Sequence, residues 1–277
     1  MVEELEFDDV ELTYEIAGHG ERVVLVHAAP FVSWYRPLIE RLPSFSVLHY
    51  RRRLRRGGGG PLRPLTVAED AAICARLMDH VGWPTAHVAG HSYGALVALG
   101  LALDARARVS SIALLEPAAR GISSAAQVVA ALQPVFAAYR AGDKAGAMDG
   151  FLRTVGGDDC RSELDRLLPD AFDDAVAQAD VFFQAEMAAV QAFTFGPEDA
   201  QDISQPVLNV LGTESVRRFA EGAELVQSWF PQAERFSLPA AGHLLMVQNP
   251  TAMAQGLSDF FSRHPISEAR PTEPVVS

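Results

Sequence analysis

The sequence predicts an α/β fold, a mostly parallel sheet with helices on both faces and an all-helical block inserted late in the chain. Three observations carry this. Short apolar runs alternate with helical stretches from Arg22 to Leu115 and again from Pro206 to Phe261, which implies right-handed crossovers between parallel strands. The run Val23-Val24-Leu25-Val26 and the stretch Val109–Leu115, which has no polar residue after Ser111, read as strands buried on both faces. Between the two alternating stretches, about Ala118 to Ile203 is alanine-rich and helical with no strand pattern.

Each element has a local reason. Val10 to Ile16 alternates and ends at Gly18-His19-Gly20, so an antiparallel hairpin is expected to open the fold. Arg22 to His27 follows as a strand, Phe31 to Leu42 as a helix, and Ser46 to Tyr50 as a strand. Thr66-Val67-Ala68-Glu69 is a capping box, and its helix runs to about Val81 before Gly82-Trp83-Pro84 stops it. Ala86 to Ala89 is a strand, Tyr93 to Leu103 a helix and Val109 to Leu115 a strand. Beyond the helical block come a strand at Pro206–Leu211, a helix at Phe219–Trp229, a strand at Arg235–Leu238 and a closing helix at Ala252–Phe261. The division expected is a core in two parts, 1–117 and 204–263, a helical cap at 118–203, and a flexible, proline-containing tail at 264–277.

A chain of 277 residues with 21% charged residues buries enough surface to need no disulfide or metal staple. Cys74 and Cys160 match no ligand or redox spacing and are expected to be reduced thiols. No metal site and no cofactor is expected. A net charge of −12 argues against nucleic acid as a partner, because that contact requires phosphate neutralisation. Met1 to Glu6 is acidic where a secretory signal is basic and then apolar, and no apolar run is long enough to cross a bilayer. A cytoplasmic protein acting on a small molecule, with no membrane partner, is the expectation.

Gly90-His91-Ser92-Tyr93-Gly94 fits G-x-S-x-G between an expected strand and an expected helix. That setting gives the pattern its meaning. A sharp strand-to-helix turn brings backbone segments together where a Cβ would clash, so both glycines have a physical purpose. The serine is left projecting from the carboxyl edge of the sheet.

On these residues and this order of elements the chain resembles the α/β-hydrolase superfamily over about residues 5 to 263. The resemblance implies Ser92 as nucleophile and His243, in Ala241-Gly242-His243 after the last strand, as general base. It also implies an oxyanion hole from the loop His27-Ala28-Ala29-Pro30, where the family usually has His-Gly-x-Pro. By that match the backbone N–H groups of Ala29 and Tyr93 are the expected donors, Ala28 replaces the usual glycine, and His27 holds the loop.

The acid departs from the family's pattern. An aspartate is usual after the seventh strand in Gly-x-x-Asp, and here the stretch is Gly212-Thr213-Glu214-Ser215. Glu116 closes an apolar strand beside the one that carries Ser92, and some superfamily members, certain dehalogenases and lactonases among them, take their acid from that place. A charge ending such a strand needs a partner. Glu116 is the expected acid, Glu214 is the alternative, and a site with no working acid is a third case.

The resemblance thus implies a serine hydrolase cleaving an ester or lactone of a small, largely apolar molecule. Phe151, Phe182, Met187 and other apolar residues of the cap are available for its pocket. Uncharged short esters are the expected preference, with anionic ones pointing instead to the run Arg51 to Arg56, which is expected in a solvated loop. A Ser-dependent C–C bond hydrolase and a non-catalytic ligand-binding protein are the alternatives. Relatives that open epoxides or cleave carbon–halogen bonds use aspartate where this chain has Ser92.

Overall fold

The computed structural model describes residues 2–7, 10–54, 62 and 64–267. Eight strands form one sheet: β1 (Glu3–Phe7), β2 (Val10–Ala17), β3 (Glu21–Val26), β4 (Phe45–Leu54), β5 (Ala86–His91), β6 (Val109–Leu115), β7 (Val207–Gly212) and β8 (Glu234–Leu238). Their spatial order is β1-β2-β4-β3-β5-β6-β7-β8. Strands from β4 to β8 run parallel, while β1 and β2 are antiparallel additions at one edge. Val23, Val24 and Leu25 are completely buried at the sheet's centre, as their unbroken apolar run requires.

The short α1 (Arg36–Ile39) follows a 3-10 stretch over Ala29–Tyr35. One continuous helix from Phe31 is therefore not formed. Phe31 leaves helical geometry (φ −116°, ψ 21°), and Pro37 removes an amide that a continuous helix would use. The helix α2 (Val67–His80) has the expected capping box, with Glu69 N–H donating to Thr66 Oγ1 at 3.1 Å and Thr66 N–H to Glu69 Oε2 at 2.8 Å. Next comes α3 (Tyr93–Asp104), which begins directly after the G-x-S-x-G serine.

Between β6 and β7 the chain forms α4 (Ala125–Arg140), α5 (Lys144–Gly156), α6 (Cys160–Leu167), α7 (Ala171–Ala177), a π-helical turn (Val181–Glu186), α8 (Met187–Ala192) and α9 (Pro197–Gln201). After β7 come α10 (Arg217–Trp229), α11 (Leu245–Gln248) and α12 (Pro250–Arg263), the last two following β8. Cys74 and Cys160 are both buried thiols. Among the described residues no helix is long and apolar enough to cross a membrane.

Three further expectations need correction. The hairpin partner of β2 is β1, not β3. The strand β4 lies between β2 and β3, because the Gly18–Gly20 turn packs over the chain entering β4, with His19 N–H donating to Pro43 O at 3.2 Å. The alternation in β1 was masked by its glutamates, the kind of charge that protects an exposed edge. The strand expected to end at Tyr50 continues to Leu54, so Arg51, Arg52 and Arg53 lie in register with Thr13, Leu12 and Glu11 instead of in a loop. Arg51 is bound to Asp174 at 2.6 Å, and Arg55, Arg56 and the four glycines lie outside the described residues. The tail is anchored at its start, since His264 meets Glu234 at 2.7 Å and Ile266 N–H donates to Glu21 at 2.8 Å. Residues 268–277 lie outside the described residues.

Candidate active site

The strand β5 is buried along its whole length and ends at His91. Ser92 then turns the chain into α3 with φ 53° and ψ −112°, a conformation costing on the order of 1–3 kcal/mol for a residue with a Cβ. The turn is held by backbone: Ser92 N–H donates to Leu115 O at 2.9 Å, and Ala118 N–H donates to Ser92 O at 3.2 Å. A Cβ at Gly90 would strike the Gly94 carbonyl, and one at Gly94 would strike the Val26 carbonyl. The helix is tied to its neighbour as well, through a Tyr93 hydroxyl bond to buried Asp70.

Ser92 and His243 line one cavity of about 420 Å³. Its walls are mostly apolar, with Ala28, Phe31 and Trp34 from the loop after β3, and Phe151, Phe182 and Met187 from the helical block. Those three apolar residues of the block are therefore pocket residues, whereas Phe193 and Phe195 stack against each other and lie outside this cavity.

His243 contacts Glu116, Nδ1 to Oε2, at 2.7 Å, with both residues buried. An ionised carboxylate can only accept, so Nδ1 carries the proton and Nε2 keeps its lone pair. Glu116 sits at φ 46° just past the end of β6. Its other oxygen accepts from Gly212 N–H at 2.9 Å and from the Ser215 hydroxyl. The serine standing where the family has its aspartate thus serves as a donor to a carboxylate that arrives from the neighbouring strand. Burial pushes the Glu116 carboxyl up from its ordinary range, and the bonds from Ser215 and Gly212 oppose that shift. Glu214 is exposed, and the structure does not bring it to His243.

The His243 ring stacks on Phe219 at 3.9 Å and lies 4.4 Å from His91. Burial first, and then the charge of Arg218, hold His243 well below the ordinary histidine value. His91 is likewise held well below it, by burial and then by His243, and its Nε2 meets the His243 carbonyl at 3.1 Å. Both rings are neutral at pH 7. His27 holds its own loop, with Nε2 2.7 Å from Tyr50 O. Among the described residues no cluster of three or more His, Cys, Asp or Glu is arranged to hold a metal.

The Ala29 amide, expected as an oxyanion donor, is already engaged. It donates to both oxygens of Glu186, at 2.9 and 3.1 Å, and Glu186 is fully buried on the π-helical turn. Ala28, not Ala29, lines the cavity. A carboxylate in this place would repel an oxyanion, so in this conformation the loop does not offer the Ala29 donor. Tyr93, the first residue of α3, has an amide that the helix itself cannot satisfy. Glu186→Ala is expected to cost about 1–3 kcal/mol, since the buried Ala29 amide loses its acceptor, and Glu186→Gln less. Chemical denaturation of the two variants measures the difference.

Sequence reasoning missed Glu186, Ser215 as a donor, Phe219 and Arg218. Each acts across a long sequence separation, and no local pattern marks it.

Comparison with known proteins gives the family and the fold. The family model described as "Alpha/beta hydrolase family" matches residues 23–255. A protein of Azorhizobium caulinodans named "Putative carbamate hydrolase RutD" is 34% identical over 114 residues, 40% of this chain and 43% of its own length. The chain thus spans less than half of that curated relative. The crystal structure of the enol-lactonase from Burkholderia xenovorans LB400 superposes with a TM-score of 0.75 at 24% identity, covering 94% of this chain and 100% of that one. Naproxen esterase from Bacillus subtilis superposes with a TM-score of 0.70 at 21% identity, covering 94% and 91%. At such identities the two structures speak for the fold alone. With most of its length matched by the family model, this chain belongs to the alpha/beta hydrolase family.

Proposed function

We propose that the protein hydrolyses a carboxylic ester or lactone of a small, largely apolar molecule through an acyl-enzyme on Ser92. The observation that carries this is the convergence of a strained serine and a carboxylate-bound histidine on one apolar cavity. Membership of the alpha/beta hydrolase family, and the name of the curated relative as a carbamate hydrolase, support hydrolysis as the class of reaction.

In this reading His243 Nε2 takes the Ser92 proton as Oγ bonds to the substrate carbonyl carbon. Glu116 holds the resulting imidazolium and its tautomer. The Tyr93 amide binds the oxyanion, and the Ala29 amide joins it only in a conformation where Glu186 has turned away. The imidazolium then protonates the leaving alkoxide as the C–O bond breaks. A water gives its proton to His243 and its oxygen to the acyl carbon, and Ser92 leaves with the proton.

A second reading, a ligand-binding protein without turnover, draws on one observation, the Glu186 carboxylate on the Ala29 amide. Labelling with a fluorophosphonate separates the two. Covalent capture at Ser92 together with ester turnover supports the hydrolase, and an inert Ser92 in folded protein overturns it.

The pH profile gives an independent check. The base must be neutral to act, and His243 is held below the ordinary value of 6.5, so its inactivating protonation comes at lower pH. For an uncharged ester, kcat/KM is expected to stay level as pH falls through 6.5 and to decline only below it. The titration belongs to the His243–Glu116 pair as a unit. An acidic limb at or above pH 6.5 would contradict the buried, neutral base.

A further inference from the structure

We propose that Arg218 forms an anion subsite within the Ser92 cavity, and that the substrate is an ester or lactone carrying a carboxylate on its apolar body. This rests on the hydrolase reading above and narrows its substrate class.

Arg218 lines the same cavity as Ser92 and His243. Its Nη1 is sealed from solvent and, among the described residues, has no hydrogen-bond partner. Its guanidinium lies 4.8 Å from the centroid of the Phe219 ring, the ring that stacks on His243. Burial lowers the guanidinium to about 10, so it remains a cation at neutral pH, and the nearby charge of Glu116 favours that form. Holding a desolvated donor with no acceptor is costly, and a turn of the guanidinium toward a ligand oxygen in the cavity it lines would offset the cost.

The internal carboxylate nearest in effect does not take this role. Both Glu116 oxygens are occupied, one by Gly212 and Ser215 and the other by His243. Glu116 therefore acts on Arg218 through charge, with no hydrogen bond. The other cation on the cavity wall, Arg120, is exposed and donates to the Gln191 carbonyl. Arg51 of the basic run is bound to Asp174. Arg218 is thus the cavity-lining cation that keeps an unpaired donor.

Its chemistry selects the ligand. A guanidinium fork matches a planar carboxylate. One cation balances one negative charge, whereas a phosphate ester would bring excess charge beside Glu116. Apart from Arg120 and Gln191 the remaining walls are apolar, so the body between the scissile carbonyl and the carboxylate is largely hydrocarbon. This reverses the preference for uncharged esters expected from the sequence.

The test compares p-nitrophenyl hydrogen adipate with its methyl ester, the same chain without the charge. Wild-type protein is expected to favour the anion in kcat/KM by roughly 10- to 100-fold, the range of a charge-assisted hydrogen bond. Arg218→Gln should remove most of that ratio, and Arg218→Lys should keep part of it. A wild-type ratio near one, a preference for the methyl ester, or a ratio unchanged in Arg218→Gln overturns the proposal. If Arg218→Gln does not fold, the wild-type ratio and Arg218→Lys decide. If neither ester is cleaved, the hydrolase reading fails by itself, and calorimetry with 4-phenylbutyrate against 4-phenylbutyramide still tests the subsite. Tighter binding of the carboxylate that weakens in the Arg218 variants supports it, and equal binding overturns it.

Discussion

Ser92→Ala is expected to abolish ester turnover, a loss on the order of 10⁶-fold for a nucleophile that works as a unit with its base. The fold should be kept. The elbow is held by backbone bonds to Leu115 and from Ala118 that do not involve the hydroxyl, and the Ser92 side chain caps nothing in α3. Alanine also retains the Cβ, so the strain at φ 53° is neither relieved nor increased. Steady-state rates on an ester panel, fluorophosphonate labelling and a thermal melt on the same preparations check it. Turnover persisting in a folded, unlabelled Ser92→Ala protein would remove the nucleophile assignment.

Glu116→Gln should lower turnover by at least ~10²-fold and up to about 10⁴-fold, the effect of losing the equivalent carboxylate in a serine protease. Three donors converge on Glu116: the Gly212 amide, the Ser215 hydroxyl and the His243 Nδ1–H. A side-chain amide has a single oxygen. With that oxygen turned to Gly212 and Ser215, its NH₂ faces Nδ1 and drives the proton to Nε2, the tautomer that cannot accept from Ser92. Glu214→Gln should change little, because Glu214 is exposed and it is its backbone amide, which the change leaves intact, that donates to Ala241 O at 2.9 Å. Ser215→Asp alone would set two carboxylates against each other, and one would have to take a proton. Combined with Glu116→Gln, the same change returns an acid to the strand-7 position and should recover part of the lost turnover. Turnover numbers for the four variants, with melts to separate catalysis from unfolding, decide the matter. A crippled Glu214→Gln beside a silent Glu116→Gln would show that the acid comes from the strand-7 loop.

The parallel strands were legible because burial on both faces leaves a short unbroken apolar run, which its length and the turn signals flanking it separate from a helix. The runs Val23–Val26 and Val109–Leu115 need no tertiary information to be read as strands. The same holds for the Thr66–Glu69 box, where the cap and its carboxylate lie three residues apart. Edge elements were harder. In β1 the glutamates face solvent and dilute the alternation, and in β4 three arginines concealed a strand that continues past Tyr50. In both cases the register with β2 is set by pairing, which side-chain chemistry alone does not reveal.

At the site, the sequence by itself determined what depends on neighbours along the chain. The elbow Gly90–Gly94 needs two glycines around a serine because backbone must pass within contact distance of backbone, and that demand is written in consecutive residues. An acidic residue closing an apolar strand was visible in the same way. Only the tertiary structure decided what depends on distant segments meeting. Glu116 and His243 lie 127 residues apart in the chain and 2.7 Å apart in space, and Ser215 reaches the same carboxylate from 99 residues away. Glu186 reaches the Ala29 amide across 157 residues, occupying a donor that the local motif offered as open. Such contacts are short-range forces between groups that folding brings together, and a local pattern can show that a group needs a partner but not which partner it finds.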